Sequence, residues 1–429
     1  MLLAIKSSRL TAQCQLWVPF LLAASMLAVP ISPSAKSICI GIVIALIMLT
    51  KAYRQDLVAM LSKPWCQASL LLFFIALIAC IWSPAFDYQK IGVLKKYMKF
   101  MFLPILVVGF RDPRARRLGS HAFLVAMAIT CVLSMLKAAG MLDYNGPDHG
   151  RVFNNHIMTS FMMAFATYLS ALLCTRERGG VRVFYALLAL LFSYQILFIN
   201  TGRMGYVVYV LLMILLMVQM LPWRKAIFAI FLGGALFAVT YYHSAPMHHI
   251  VRLGIVNYRD YQQGQKNSSI GYRLQFHAYA KKLFLRHPWF GNGTGSYTYF
   301  FRTEDPVPAW HQTPGSVERP RISPKNLFEP HSQYWFLAAE FGMMGILAVF
   351  FFFGSLVVAS LRLHSMRAVA IGLIVSFIVG NLSDSLLFYG GTGYFFLLFM
   401  AMCLGEEQEL RAASKLQAHI QRQDPADKV

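Results

Sequence analysis

Carboxylates are scarce in this chain, with 18 Asp and Glu against 39 Lys and Arg among 429 residues. The first hydrophilic segments expected outside the membrane hold only Asp87, Asp143 and Asp148. They contain no adjacent acids and no Asp-x-Asp pair that could grip Mg²⁺ or Mn²⁺, so a reaction without metal or cofactor is expected. Cysteine is equally uninformative as a ligand set: seven are present (14, 39, 66, 80, 131, 174, 403), none in the one long polar loop and none at zinc-ligand spacing. A disulfide framework and a structural zinc are both excluded as expectations. Charged residues make up only 13% of a chain that is 57% hydrophobic, with mean hydropathy +0.54, which excludes a soluble globule.

What the chain has instead is apolar runs long enough to cross about 30 Å of hydrocarbon as helices. Twelve lie near 16–34, 36–51, 66–84, 91–110, 120–139, 153–174, 182–199, 204–221, 225–243, 333–361, 367–388 and 391–405. The first follows Lys6 and Arg9 like a signal peptide, but its prolines and the immediate arrival of the next run point to a retained helix. Lys51, Arg54 and Lys63, then Arg111 to Arg117, Arg176 to Arg182, Arg224 with Lys225, Arg362 with Arg367 and the C-terminal tail all fall on one side by this count. The positive-inside rule makes that side cytoplasmic, with both termini inside. The expected organisation is therefore nine spans over 1–243, an external loop over 244–332, three spans over 333–405 and a solvated cytoplasmic tail over 406–429.

That loop is basic although it faces outward, with eleven Lys or Arg against five acids, and an anionic partner is the simplest cause. Membrane lipids and an anionic substrate are the expected partners, not nucleic acid; the oligomeric state is left open. Gly271 to Phe290 reads as an amphipathic helix stopped by Pro288, followed by the glycine cluster 291–295 and a Pro-rich stretch from Pro306 to Pro324. The glycines could form a nest for phosphate, although a plain turn fits them better.

Candidate chemistry gathers at the loop's edges. Pro330-His331-Ser332-Gln333-Tyr334 runs straight into an apolar helix, which puts the His331 imidazole in a first turn. Free N–H groups and the positive dipole end favour a neutral, proton-accepting ring there. Arg203 starts the eighth span in a tight external turn, where a cation is poorly matched to the dipole and so has an anion to meet. Arg273 opens the loop helix beside Tyr272 and suits a phosphate, with Arg286 at the far end and Gln333 beside His331 as further substrate contacts. Lys95, Lys96 and Lys99 in the fourth span are costly in lipid and are expected to line an aqueous cavity open to the outer face. Glu340 and Asp384 read as acids inside apolar helices. Glu340 lies nine residues beyond His331, about 13 Å along a helix, too far to orient it.

Three motifs carry a family resemblance: Thr201-Gly202-Arg203; Gly271-Tyr272-Arg273 followed by His287-Pro288-Trp289-Phe290-Gly291-Asn292-Gly293; and His331-Ser332 followed by Gly342-x-x-Gly345. Over about residues 185 to 390 the chain resembles the O-antigen ligase and polymerase superfamily of integral membrane glycosyltransferases, and within it the ligases. The resemblance implies an all-α polytopic fold with a GT-C-like architecture in the bacterial inner membrane and one large periplasmic loop. It also implies transfer of a glycan from undecaprenyl diphosphate to a sugar hydroxyl of lipid A-core. His331 would be the base, and Arg203 and Arg273 the diphosphate ligands, with inversion at the anomeric carbon. A polymerase or a protein O-oligosaccharyltransferase of the same superfamily remains the alternative. A twelve-span transporter or flippase is the rival from another class; related halves joined by a central cytoplasmic loop would mark it, and here the dominant loop is external and follows span nine.

Overall fold

The computed structural model describes residues 2–143, 148–307 and 329–423. The Pro-rich stretch from 308 onward, with Arg319, Arg321 and Lys325, and the end of the tail lie outside the described residues. The described chain is helical, with no strand: α1 (Leu2–Ile31), α2 (Pro33–Leu49), α3 (Lys51–Met60), α4 (Pro64–Ile78), α5 (Asp87–Tyr97), α6 (Phe102–Gly109), α7 (Pro113–Ala138), α8 (His156–Arg176), α9 (Gly179–Phe198), α10 (Arg203–Met220), α11 (Trp223–His243), α12 (Ala245–Gln262), α13 (Ser269–Arg286), α14 (Ser296–Glu304), α15 (Gln333–Ser360), α16 (Arg367–Gly380) and α17 (Gly390–Gln423). Side-chain caps set several starts. Asp112, Asn155, Ser268 and Ser332 each accept an N–H of the first turn they precede, a contact that stabilises a helix by about 1 kcal/mol.

Twelve full spans are not what the helices provide. Among the described residues six are long and apolar enough to cross a membrane, α7 to α11 and α15, and a seventh counts if α2 and α3, bent by 95°, form one broken span. The expected span 91–110 is interrupted by a 3₁₀ turn, Met98–Met101, just before Pro104, and the run 367–388 leaves helical geometry at Gly380. Hydropathy counts apolar residues whether or not the backbone is helical. Irregular backbone survives at membrane depth only where protein satisfies it. Here Ser69 donates to Phe100 O at 2.6 Å, and Lys99 donates to Phe388 O and Tyr389 O at 3.0 Å each.

Association of the helices rests on close packing, since lipid is as apolar as a core. Phe123, Phe161, Phe165, Phe377, Phe395 and Phe399 interlock edge to face, with ring centroids 4.8–4.9 Å apart in the tightest pairs. The basic connections meet at one end of the bundle. Lys63 pairs with Glu407 at 3.3 Å, Arg111 with Asp56 and Arg116 with Glu409, while Glu406 accepts the backbone N–H groups of His364, Ser365 and Met366. The start of the expected solvated tail is thus a buried clamp, and α17 continues through it to Gln423.

At the opposite end the long loop carries three helices, α12, α13 and α14, where one was expected. Its glycine segment is threaded into a break in α15. Gly342 has φ +62° and ψ −148°, so the helix opens there and frees backbone groups on both sides. Loop residues pair with four of these groups: Met343 N donates to Pro288 O at 2.7 Å, Met344 N to Trp289 O at 3.2 Å, Asn292 N to Ala339 O at 3.2 Å and Gly293 N to Glu340 O at 2.8 Å. A Cβ on Gly342 would stand 2.6 Å from Gly291 N and 2.7 Å from Pro288 O, so the crossing admits only glycine. The spacing from His331 to Gly342 therefore encodes a joint that fixes the loop against the membrane bundle. The glycine N–H groups are spent on this joint, which answers the phosphate-nest idea in favour of the turn.

Candidate active site

His331 is not in a first turn. It precedes the N-cap Ser332, in the left-handed region at φ +52°, a conformation that costs a bulky residue on the order of 1–3 kcal/mol. Four contacts hold it there. Its N–H donates to Glu329 Oε2 at 2.8 Å, its carbonyl lies 3.3 Å from His277 Nε2, the N–H of Gln333, two residues on, donates to Asn381 O at 3.0 Å, and the ring stacks on Phe276 with centroids 6.0 Å apart.

The ring nitrogen Nδ1 faces two carboxylates, Asp384 Oδ1 at 3.0 Å and Glu329 Oε1 at 3.1 Å. With acceptors on Nδ1, that nitrogen carries the proton and Nε2 holds the free lone pair, an assignment made from the hydrogen-bond network. The carboxylates are themselves fixed: Ser385 and Tyr389 donate to Glu329, and Arg273 pairs with Asp384 at 3.5 Å while donating to Ser383 O at 3.0 Å. Burial opposes a charge on His331, but the Glu329 charge and the Asp384 hydrogen bond outweigh it, and its pKa is raised above the ordinary histidine value. The neutral ring expected from a helix dipole is thus corrected: the ring lies outside the helix, and acids, not N–H groups, dominate its field. His277 shifts the other way, lowered by burial and by the Arg273 and His331 charges.

Arg273 does not sit among the free N–H groups of α13, since that helix starts at Ser269. It lies a turn inside and reaches across to Asp384. Arg203 is the first residue of α10, near enough to Arg273 for the two charges to repel. Arg273 is paired with Asp384, whereas Arg203 has no acidic partner among the described residues. It stands at the mouth of an apolar groove of about 910 Å³ between α10, α11 and α12, lined by Tyr206, Val207, Phe237, Tyr241, Ile250 and Ile255. Arg203 thus lies within charge range of Arg273, which in turn pairs with the Asp384 that faces His331.

The other candidates divide. Tyr272 is buried and stacks on Phe276, one layer behind the His331 ring; Gln333 is buried in the first turn of α15. Arg286 stands thirteen residues along α13 from Arg273, about 20 Å away by helical rise, in a bidentate pair with Glu304 at 2.6 and 2.9 Å. The three lysines differ in their surroundings. Lys95 is exposed, Lys96 stands over the Phe388 ring at 5.7 Å, and Lys99 is only 2% exposed and saturates carbonyls of the link between α16 and α17. Lys36, unremarked in the sequence, does the same for Gly390 O at 3.0 Å. The residues missed were Glu329, Ser385, Tyr389 and above all Asp384, which lies outside any helix. The polar run Asn381-Leu382-Ser383-Asp384-Ser385 inside an apolar stretch was the available signal.

Glu329, His331 and Asp384 also present donor atoms within 4.8 Å of one another, the spacing of a metal site. Glu329 already accepts from Ser385, Tyr389 and the His331 N–H, and Asp384 Oδ2 faces the Arg273 guanidinium at 3.5 Å, so a cation would compete with the protein's own donors and positive charge. The donor set suits an oriented imidazole better than an ion.

No curated protein matches the chain. Residues 185–350, from α9 through the Gly342 joint and including Arg203, Arg273 and His331 but not Asp384, match the family model described as O-Antigen ligase. Over these residues the chain is thus similar to the O-antigen ligase and polymerase superfamily, whose members are glycosyltransferase-like enzymes of the bacterial inner membrane.

Proposed function

We propose that the protein is an O-antigen ligase, which moves a polysaccharide from undecaprenyl diphosphate to a sugar hydroxyl of lipid A-core at the periplasmic face. The arrangement of His331 with its two carboxylates and Arg273, with Arg203 nearby on the lining of an apolar groove, carries this reading. A sugar alcohol is a poor nucleophile near neutral pH and needs a base. His331 Nε2 takes the hydroxyl proton as the oxygen attacks the anomeric carbon. Asp384 and Glu329 hold the ring and stabilise the imidazolium that forms. The bond to the diphosphate oxygen breaks and its electron pair stays on the leaving group, whose charge Arg203 and Arg273 meet. The groove below Arg203 suits the polyprenyl chain. One displacement assisted by one base inverts the anomeric centre and involves neither metal nor cofactor.

Purified protein is incubated with undecaprenyl-diphosphate glycan and rough lipopolysaccharide in the presence of EDTA. Capped lipopolysaccharide with inverted linkage is the expected product. Glycan lengthening on the carrier lipid would instead identify a polymerase, and product formed only after Mg²⁺ or Mn²⁺ is restored would overturn the metal-independent chemistry.

A further inference from the structure

A second histidine–aspartate pair stands beside Arg203. His156, the first residue of α8, places Nδ1 2.8 Å from Asp148 Oδ2. Asp148 is held in turn by Thr201 Oγ1 at 3.2 Å and by Gly150 N at 3.0 Å. The loop that carries it is pinned by Lys137, whose ammonium donates to Asp148 O at 2.7 Å and to Arg151 O at 3.0 Å, and by Ser134, which donates to His149 O at 2.8 Å. The Thr201-Gly202-Arg203 turn is built around this pair. Thr201 donates to Asp148. A Cβ on Gly202 would lie 2.9 Å from His156 O and inside the Ser160 hydroxyl, so only glycine lets α8 and the turn touch. Arg203 then points its charge into the groove. Two of the three motif residues thus touch the pair and the third is the unpaired cation.

Asp148 does for His156 what Asp384 does for His331. It occupies Nδ1 and leaves Nε2 free on a side chain that is 40% exposed. The two pairs approach the arginines from different elements, one from α8 and the loop before it, the other from the segments flanking α15 and α17.

We propose that His156, oriented by Asp148, serves the departing diphosphate: its Nε2–H hydrogen-bonds the phosphate held at Arg203 and passes it a proton as the glycosyl bond breaks. The inference rests on the transferase reading and deepens it. The acceptor proton goes to His331, the electron pair of the C–O bond goes to the diphosphate oxygen, and that oxygen takes the His156 proton. His156 returns to its Nδ1–H form against Asp148, and both rings reset by exchange with water.

The test compares wild type with His156→Ala and His156→Gln in the ligation assay, alongside binding of undecaprenyl diphosphate alone. His156→Ala should lower kcat by about 10²-fold, the usual size of an acid–base contribution. The donor KM should change less than about threefold, because the arginines still bind the phosphates. Added imidazole should restore part of the lost rate. His156→Gln, which keeps a hydrogen-bond donor without a transferable proton, should retain undecaprenyl diphosphate affinity but not turnover. Wild-type turnover in His156→Ala, or a loss that imidazole does not touch, would overturn the proposal. Wild-type protein that binds undecaprenyl diphosphate but transfers no glycan from the glycan-bearing carrier to any acceptor would refute the transferase reading instead. In that case there is no glycosyl bond cleavage for His156 to serve, and the proton transfer assigned to it falls as well.

Discussion

Asp384 Oδ1 lies 3.0 Å from His331 Nδ1 across 53 residues of sequence, and the aspartate side chain is 1% exposed. That pairing fixes the orientation of the His331 ring, whose proton affinity is raised by its neighbours. It also ties the link between α16 and α17 to the entrance of α15.

The pairing has a kinetic signature. The base form of His331 exists above its pKa, which Glu329 and Asp384 raise, so kcat/KM should climb with pH through that raised value. Removing either charge lowers the pKa. In Asp384→Asn the rise should move to lower pH, with the plateau rate reduced on the order of 10- to 100-fold because the ring loses its orientation. An acid limb that stays in place in both Asp384→Asn and Glu329→Gln would show that another group titrates.

The arginines should differ from lysine in kind. A guanidinium grips phosphate through a planar fork that an ammonium lacks. Arg203→Lys and Arg273→Lys should each raise the donor KM about tenfold or more, whereas Arg286→Ala, committed to Glu304 on the surface, should leave ligation within twofold. Steady-state kinetics against donor concentration would show it, and an Arg286→Ala defect as large as the others would place the substrate elsewhere.

The joint at Gly342 should be intolerant. Gly342→Ala forces a Cβ against Gly291 N and Pro288 O at a left-handed backbone position, and a cost above about 3 kcal/mol is expected. Gly354, in the same helix with nothing within 4 Å, should accept alanine with no loss and a gain of up to about 1 kcal/mol. Thermal unfolding in detergent distinguishes the two; equal melting points would refute the joint.

Lys99 should behave as a structural residue. Lys99→Met strips donors from Phe388 O and Tyr389 O and should lower stability by about 2 kcal/mol or more. Activity should fall with it, because Tyr389 and Asp384 belong to that link. Lys95→Met, on the exposed side, should change neither. A Lys99→Met protein with normal melting but a raised donor KM would restore the expectation that this lysine meets substrate.

The sequence was sufficient for whatever depends on composition and short spacing. Apolar runs marked the membrane class, and the clustered basic connections joined by Lys63, Arg111 and Arg116 meet at one end as the charge pattern required. The motif arginines and His331 were visible because polar groups stand out against an apolar background. Asp384 was visible too, yet its distance from His331 along the chain hid its partner. The break at Gly342 was hidden as well, since glycine in an apolar run reads equally as a packing face.

Sequence by itself determined that this chain is helical and membrane-embedded, with a basic loop whose flanking motifs belong to one superfamily, because hydropathy and local spacing are properties of neighbouring residues. Only the tertiary structure decided which carboxylates face His331, that Lys99 donates to the carbonyls of Phe388 and Tyr389, and that the loop locks into a broken helix. Those outcomes depend on which buried donors and acceptors remain unsatisfied after packing, and the chain pairs them across long separations that no local pattern records.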